Sequence, residues 1–163
     1  MDLKFHRLLF GCSILFLSSC VSFAAPKDPC RVLTPAQIRS ATGMDVAPGE
    51  HFYNWQTCKW QVAGSERSLV IVSFMFVHQF YNFKTSMNRV VPIKYLGVDA
   101  FYIYLQPSPA VSKKDTYFHW PPPRLFFLAT RDMGIEVSVA GIPDDQRAAD
   151  MERKLANLVA YTP

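Results

Sequence analysis

The chain has 163 residues, with 17 lysines and arginines against 13 aspartates and glutamates, and half of its residues are hydrophobic. That length suits one domain with a real core. The formal charge is +4, but no basic run exceeds two residues (Lys113-Lys114, Arg153-Lys154), so the concentrated basic face of a nucleic-acid binder is absent and nucleic acid is excluded as a partner.

The opening residues read as an export signal. Lys4 and Arg7 supply a positive n-region, and Leu8–Leu17 is almost wholly apolar. The run is shorter than the roughly 20 residues that span a bilayer and fits a signal-peptide h-region instead. Two processing routes compete. Ser22-Phe23-Ala24 offers small residues for a standard signal peptidase, giving a signal over 1–24 and a domain over 25–163. Leu17-Ser18-Ser19-Cys20 has the form of a bacterial lipobox, with a signal over 1–19 and a lipid on Cys20. That lipid would be the only membrane attachment, since nothing after residue 25 reads as transmembrane. Cleavage after Ala24 leaves 139 residues and a charge of +3.

Of the four cysteines, Cys12 and Cys20 belong to this leader, leaving Cys30 and Cys58. Two cysteines in an exported domain pair, and closing a loop of this length stabilises by roughly 3–4 kcal/mol in the chain-entropy picture. Zinc is set aside, because His51 is the only histidine between them and a structural site needs four ligands. The expected bond clamps the first helix against the first strand.

Leu33-Thr34-Pro35-Ala36-Gln37-Ile38 is a dense helix start, with Thr34 as N-cap, Pro35 in the first turn and Gln37 completing a capping box. Gly43 ends that helix. Residues 45–56 read as an irregular loop. Cys58, Trp60 and Val62 then alternate with polar residues, which places the cysteine and tryptophan on the core face of a strand. Ser68–Val77 is apolar on both faces and reads as a central strand. Phe80, Phe83, Met87 and Val90 or Val91 are spaced for one face of a helix over about 79–90, ending before Pro92.

Further strands are expected over Asp99–Leu105, Leu125–Arg131 and Ile135–Ala140, the last two joined by a turn at Asp132-Met133-Gly134. A final helix over 144–160 carries Ala148, Met151, Leu155, Leu158 and Val159 as one apolar stripe. The expected fold is therefore a single α+β domain, a mainly antiparallel sheet of about five strands with an N-terminal, a middle and a C-terminal helix packed on it. No internal repeat or low-complexity segment is visible.

The pattern Asp28-Pro29-Cys30-x-x-Leu33-Thr34-Pro35, a helix closing at Gly43, Cys58-x-Trp60 and the strand Gly97-Val98-Asp99-Ala100-Phe101 resembles a group of small bacterial lipoproteins of unknown function. The resemblance implies export, often a lipid anchor, a disulfide matching Cys30 and Cys58, and an α+β domain. It brings no catalytic residues, and the chain departs from the pattern over Lys113–Arg124.

Chemistry-bearing motifs are missing: there is no G-x-S-x-G elbow, phosphate-binding loop, G-x-G-x-x-G or H-E-x-x-H. His51, His78 and His119 are far apart, Asp144-Asp145 suits a helix start, and Glu50-His51 are merely adjacent. No catalytic residue, metal or cofactor is predicted. The informative candidates are aromatic: Phe52, Tyr53 and Trp55 in one predicted loop, and Tyr117, His119 and Trp120 with Arg124 in another. The plain alternative is that these rings cap the open ends of the core. The leading functional expectation is an exported, non-enzymatic domain that binds a protein or cell-envelope component through those loops. A carrier of a small apolar ligand or lipid, held between the sheet and the middle helix, is the second. A hydrolase of envelope polymer is the third.

Overall fold

Thr34 nucleates the first helix as its sequence dictates. In the computed structural model, which describes residues 28–95, 97–104 and 123–160, helix α1 spans Pro35–Thr42. Thr34 Oγ1 accepts from the Gln37 N–H at 3.2 Å, and Gln37 Oε1 accepts from the Thr34 N–H at 2.8 Å. Both bonds satisfy donors that the first helical turn leaves unpaired. Gly43, at φ +75°, closes the helix in the left-handed region.

Seven strands follow among the described residues, where about five were expected: β1 Glu50–Phe52, β2 Asn54–Gln61, β3 Leu69–Phe76, β4 Val90–Tyr95, β5 Val98–Ile103, β6 Arg124–Leu128 and β7 Met133–Ala140. They form one sheet in the order β1-β2-β3-β7-β6-β5-β4, and every pairing is antiparallel. The predicted irregular loop over 45–56 is corrected by β1, which folds back on β2. Three residues without a buried alternation give no period to read, and the register breaks between His51 and Phe52. The second missed strand, β4, contains Pro92. A proline is a stop for a helix, but on the outermost strand its missing N–H faces no partner.

The middle helix is also relocated. Helix α2 spans Val77–Ser86 rather than 79–90, and Gln79 Oε1 accepts from the Phe76 N–H at 2.9 Å at its start. Met87 and Val90 lie beyond it yet pack into the same apolar cluster as Phe80 and Phe83. The β6–β7 turn also moves, because Met133 and Gly134 already belong to β7. Helix α3, Asp145–Ala160, starts where Asp144 Oδ1 accepts from the N–H groups of Gln146 and Arg147 at 2.9 and 3.0 Å.

Strand alternation divides the core in two. On one face Cys58, Trp60, Val70, Val72, Phe74, Leu125, Phe127, Ile135, Val137 and Val139 pack beneath α3 and the N-terminal segment. On the other, Phe101, Phe126, Ile103 and Met75 pack beneath α2 through Phe80. The Phe101 and Phe126 rings stack at 5.0 Å, and Phe80 approaches Phe101 at the same distance. Burying each such ring stabilises by about 1.5–3 kcal/mol. Gly134 makes the close approach of α2 possible, since a Cβ there would stand 2.9 Å from the Phe80 ring.

The Cys30–Cys58 disulfide is present, with the two Cα atoms 5.1 Å apart. What it clamps differs from expectation. It ties the single 3-10 turn Pro29–Arg31 to β2, the second strand, while α1 has α3 as its main neighbour. No helix among the described residues is long and apolar enough to cross a membrane.

Candidate functional site: a cleft beside an aromatic hairpin

Ten residues of α2 cannot cover the whole of the second sheet face, because a helix advances only about 1.5 Å per residue. It shields Phe101 and Phe126 and leaves the adjoining strip of β2, β3 and β7 open. There a cleft of about 440 Å³ forms between α2 and the β1–β2 hairpin. Gln79 and Phe83 form its helix wall, and Phe52 and Tyr53 its opposite rim. Its floor comes from outward-facing residues of four strands: Thr57, Ile71, Ser73, Ser138, Glu136 and Arg124.

The floor is polar but internally satisfied. Arg124 Nε donates to Glu136 Oε1 at 2.6 Å, and its guanidinium reaches the same oxygen a second time at 2.5 Å. The guanidinium also lies over the rings of Phe126 and Phe83, 5.3 and 5.9 Å from their centroids. Burial pushes the Glu136 carboxyl above its ordinary range, and the positive charge and hydrogen bonds of Arg124 pull against that push. Thr57 Oγ1 donates to Ser73 Oγ at 3.2 Å. An apolar cleft with a few fixed polar groups and a volume of some hundreds of cubic ångströms has the build of a small-ligand site.

The rim is strained. Tyr53 is 87 % exposed and sits at φ +64°, a conformation that costs a non-glycine residue on the order of 1–3 kcal/mol. Its ring packs against Phe52 at 3.9 Å between centroids, tilted by 46°, and Lys59 Nζ, paired with Glu50 at 2.9 Å, lies over the Phe52 ring. Trp55, 63 % exposed, stands on the same hairpin without lining the cleft.

The structure thus brings Phe52, Tyr53 and Arg124 to one cleft, although they come from two separate predicted loops. Tyr117, His119, Trp120 and the lipidation candidate Cys20 lie outside the described residues. Glu136, the partner of Arg124, was missed. A signal existed: a glutamate at an alternating position of a strand flanked on both sides needs a counter-charge.

Two buried polar groups lie on the first face, away from the cleft. Trp60 Nε1 has no acceptor among the described residues, an arrangement that costs about 1–3 kcal/mol. Glu152, at 0 % exposure, accepts from the Val139 N–H through Oε1 at 3.0 Å, while Oε2 has no partner among the described residues. Burial drives its carboxyl well above the ordinary value of 4.5; the Val139 bond opposes this and the charge of Glu136 adds to it. The native state therefore keeps a proton that the unfolded chain releases above 4.5. Stability from this group is full below that value and is lost as pH rises through the raised one. Glu152→Gln keeps the acceptor and removes the titration. It is expected to stabilise the protein at neutral pH, by about 1.4 kcal/mol for each unit of the shift, and to flatten the profile of melting temperature against pH. A profile unchanged by the substitution would exclude Glu152 as its source.

A third cluster joins Asp28, Cys30 and His51, whose side-chain ligand atoms all lie within 4.8 Å of one another. As a metal site it offers only Asp28 and His51, since the Cys30 sulfur is bonded to Cys58. Asp28 Oδ1 accepts from the Cys30 N–H at 2.8 Å and pairs with His51 Nε2 at 3.7 Å, while His51 Nδ1 stands 3.9 Å from Cys30 Sγ.

Compared with protein-family models, with curated proteins and with solved structures, the chain matches none. The class of protein is accordingly the one its own geometry defines: an α+β domain with one antiparallel seven-stranded sheet, a disulfide-pinned N-terminal turn and an aromatic-rimmed cleft.

Proposed function

We propose that this chain is an exported, non-enzymatic binding domain, and that its ligand enters the cleft between α2 and the sheet beneath Phe52 and Tyr53. The observation that carries the reading is the cleft itself, about 440 Å³ with aromatic walls over a neutralised Arg124–Glu136 floor. Such a floor offers hydrogen bonds without a net charge, which suits a ligand with an apolar body and a polar head. The exposed rings of Tyr53 and Trp55 extend the apolar surface beyond the cleft, where a larger envelope component or protein would add contacts. Export is supported by the Leu8–Leu17 run and by a disulfide of the kind that oxidising compartments preserve. The resemblance to small bacterial lipoproteins points the same way, and the lipobox at Cys20 would then tether the domain to a membrane.

Native mass spectrometry of protein purified from its own compartment tests the binding. A co-purifying mass is expected, and it should be lost in Ser73→Phe, which fills the cleft, with far-UV dichroism retained. A clean ligand-free mass, or a bound mass indifferent to Ser73→Phe, would remove the cleft from consideration. The same spectrum, taken with and without reductant, distinguishes a start at Ala25 from a lipid on Cys20.

A further inference from the structure

We infer that the Cys30–Cys58 bond is a thiol–disulfide exchange site for peptide thiols, with Cys30 as the sulfur that is attacked and Cys58 as the sulfur that leaves. The two sulfurs differ in every respect that exchange chemistry uses. Cys30 is part-buried beside the exposed His51 side chain, whereas Cys58 is fully buried. An incoming thiolate therefore reaches Cys30 first.

Burial in an apolar cluster would by itself make Cys58 a poor leaving group, because it disfavours the thiolate. The surroundings answer this. A Cβ on Gly49 would stand 2.7 Å from Trp60 Nε1 and 2.8 Å from Cys58 Sγ, so the indole nitrogen and the sulfur border the same small space beside Gly49. That N–H has no acceptor among the described residues. A Cys58 thiolate that turns toward it on opening would give it one, a bond that the closed state lacks.

On the attacked side, His51 Nδ1 is 3.9 Å from Cys30 Sγ, and its other nitrogen pairs with Asp28. A protonated His51 favours a Cys30 thiolate. Asp28 opposes it but is itself paired with Arg31 at 3.5 Å. On the paired strands β1 and β2, the residues next to His51 and Cys58 are Glu50 and Lys59, which neutralise one another as an ion pair at 2.9 Å.

The electron balance is that of ordinary exchange. A peptide thiolate attacks Cys30 Sγ, a mixed disulfide forms, and the Cys30–Cys58 bond breaks with its electron pair on Cys58. A second peptide thiolate then attacks the peptide sulfur of the mixed disulfide. The peptide disulfide forms, and Cys30 leaves as a thiolate beside His51. Two peptide thiols are oxidised, the protein disulfide is reduced, and two protons pass to the protein thiols.

Glutathione is the probe. The oxidised protein, equilibrated with reduced and oxidised glutathione and quenched with an alkylating reagent, is expected to show both the Cys30 mixed disulfide and the reduced form, with native far-UV dichroism. Trp60→Phe should lower the reduced fraction. In the reduced protein, His51→Ala should slow alkylation of Cys30 about tenfold, because it removes the ring nitrogen that stands beside the attacking sulfur. His51 is exposed, so this arm does not depend on the core variant folding. A bond that stays closed in excess glutathione, a reduced chain that loses its dichroism, or an alkylation rate indifferent to His51 would each overturn the assignment.

Discussion

Arg124→Met is expected to cost about 3–5 kcal/mol of stability at neutral pH, because it leaves the Glu136 carboxylate buried without its counter-charge. Glu136 is already pushed upward by burial, and Arg124 is the one influence holding it down. Without the arginine the carboxyl rises further. The loss should therefore shrink as pH falls and Glu136 takes up a proton, and grow as pH rises through the raised value. Urea unfolding of the variant across a pH series measures this. The double variant Arg124→Met, Glu136→Met removes both charges and should return to near the original stability or exceed it. A single-variant loss below about 1 kcal/mol at every pH would mean that the pair behaves as an exposed one. Should the double variant fold but lose its co-purifying mass, the pair serves the ligand rather than the fold.

Replacing Cys30 and Cys58 together with alanine is expected to lower stability by about 3–4 kcal/mol, from the 28-residue separation that the bond closes. Most of this acts on the unfolded chain, which the bond keeps compact. The slope of free energy against denaturant should then increase as the midpoint falls, since the released chain exposes more surface. A fall in midpoint at constant slope would locate the effect in native strain instead. The native fold should persist, because Trp60, Val70, Val72 and Leu155 remain buried without the sulfur bridge.

What the sequence revealed follows the range of the interactions involved. Helix α1 was legible because Thr34, Gln37 and Gly43 act on one another within a few residues. The core faces of β2 and β7 were legible because period two needs no knowledge of the neighbouring strand. Phe80, Phe83 and Met87 were grouped as one apolar set with Val90 or Val91, and packing rather than secondary structure unites the first three with Val90, since the helix stops at Ser86. Strand β4 was hidden because Pro92 gives the same signal at a helix end and on an edge strand. The cleft was legible only in outline, as a space between the sheet and the middle helix with no residue assigned to its floor. Its walls come from residues near positions 52, 73, 83, 124 and 136, and only the order β2-β3-β7-β6 makes them neighbours. Glu152 lay in plain view on the apolar stripe, one turn from both Ala148 and Leu155, and its partner is a backbone N–H that no side-chain pattern announces.

The sheet order also bears on how the protein is made. Strands β1–β3 and β4–β7 are two local meanders, and they join only where β3 pairs with β7, about sixty residues further along. A chain emerging amino end first, from a ribosome or through a membrane pore, presents Val70, Val72 and Phe74 to water long before Ile135, Val137 and Val139 arrive to cover them. During that interval β3 is a naked, sticky ribbon, prone to pair with the wrong neighbour. Biogenesis should accordingly depend on a holding factor at exit, and yield should fall with slower synthesis of the second half more steeply than native stability alone would suggest.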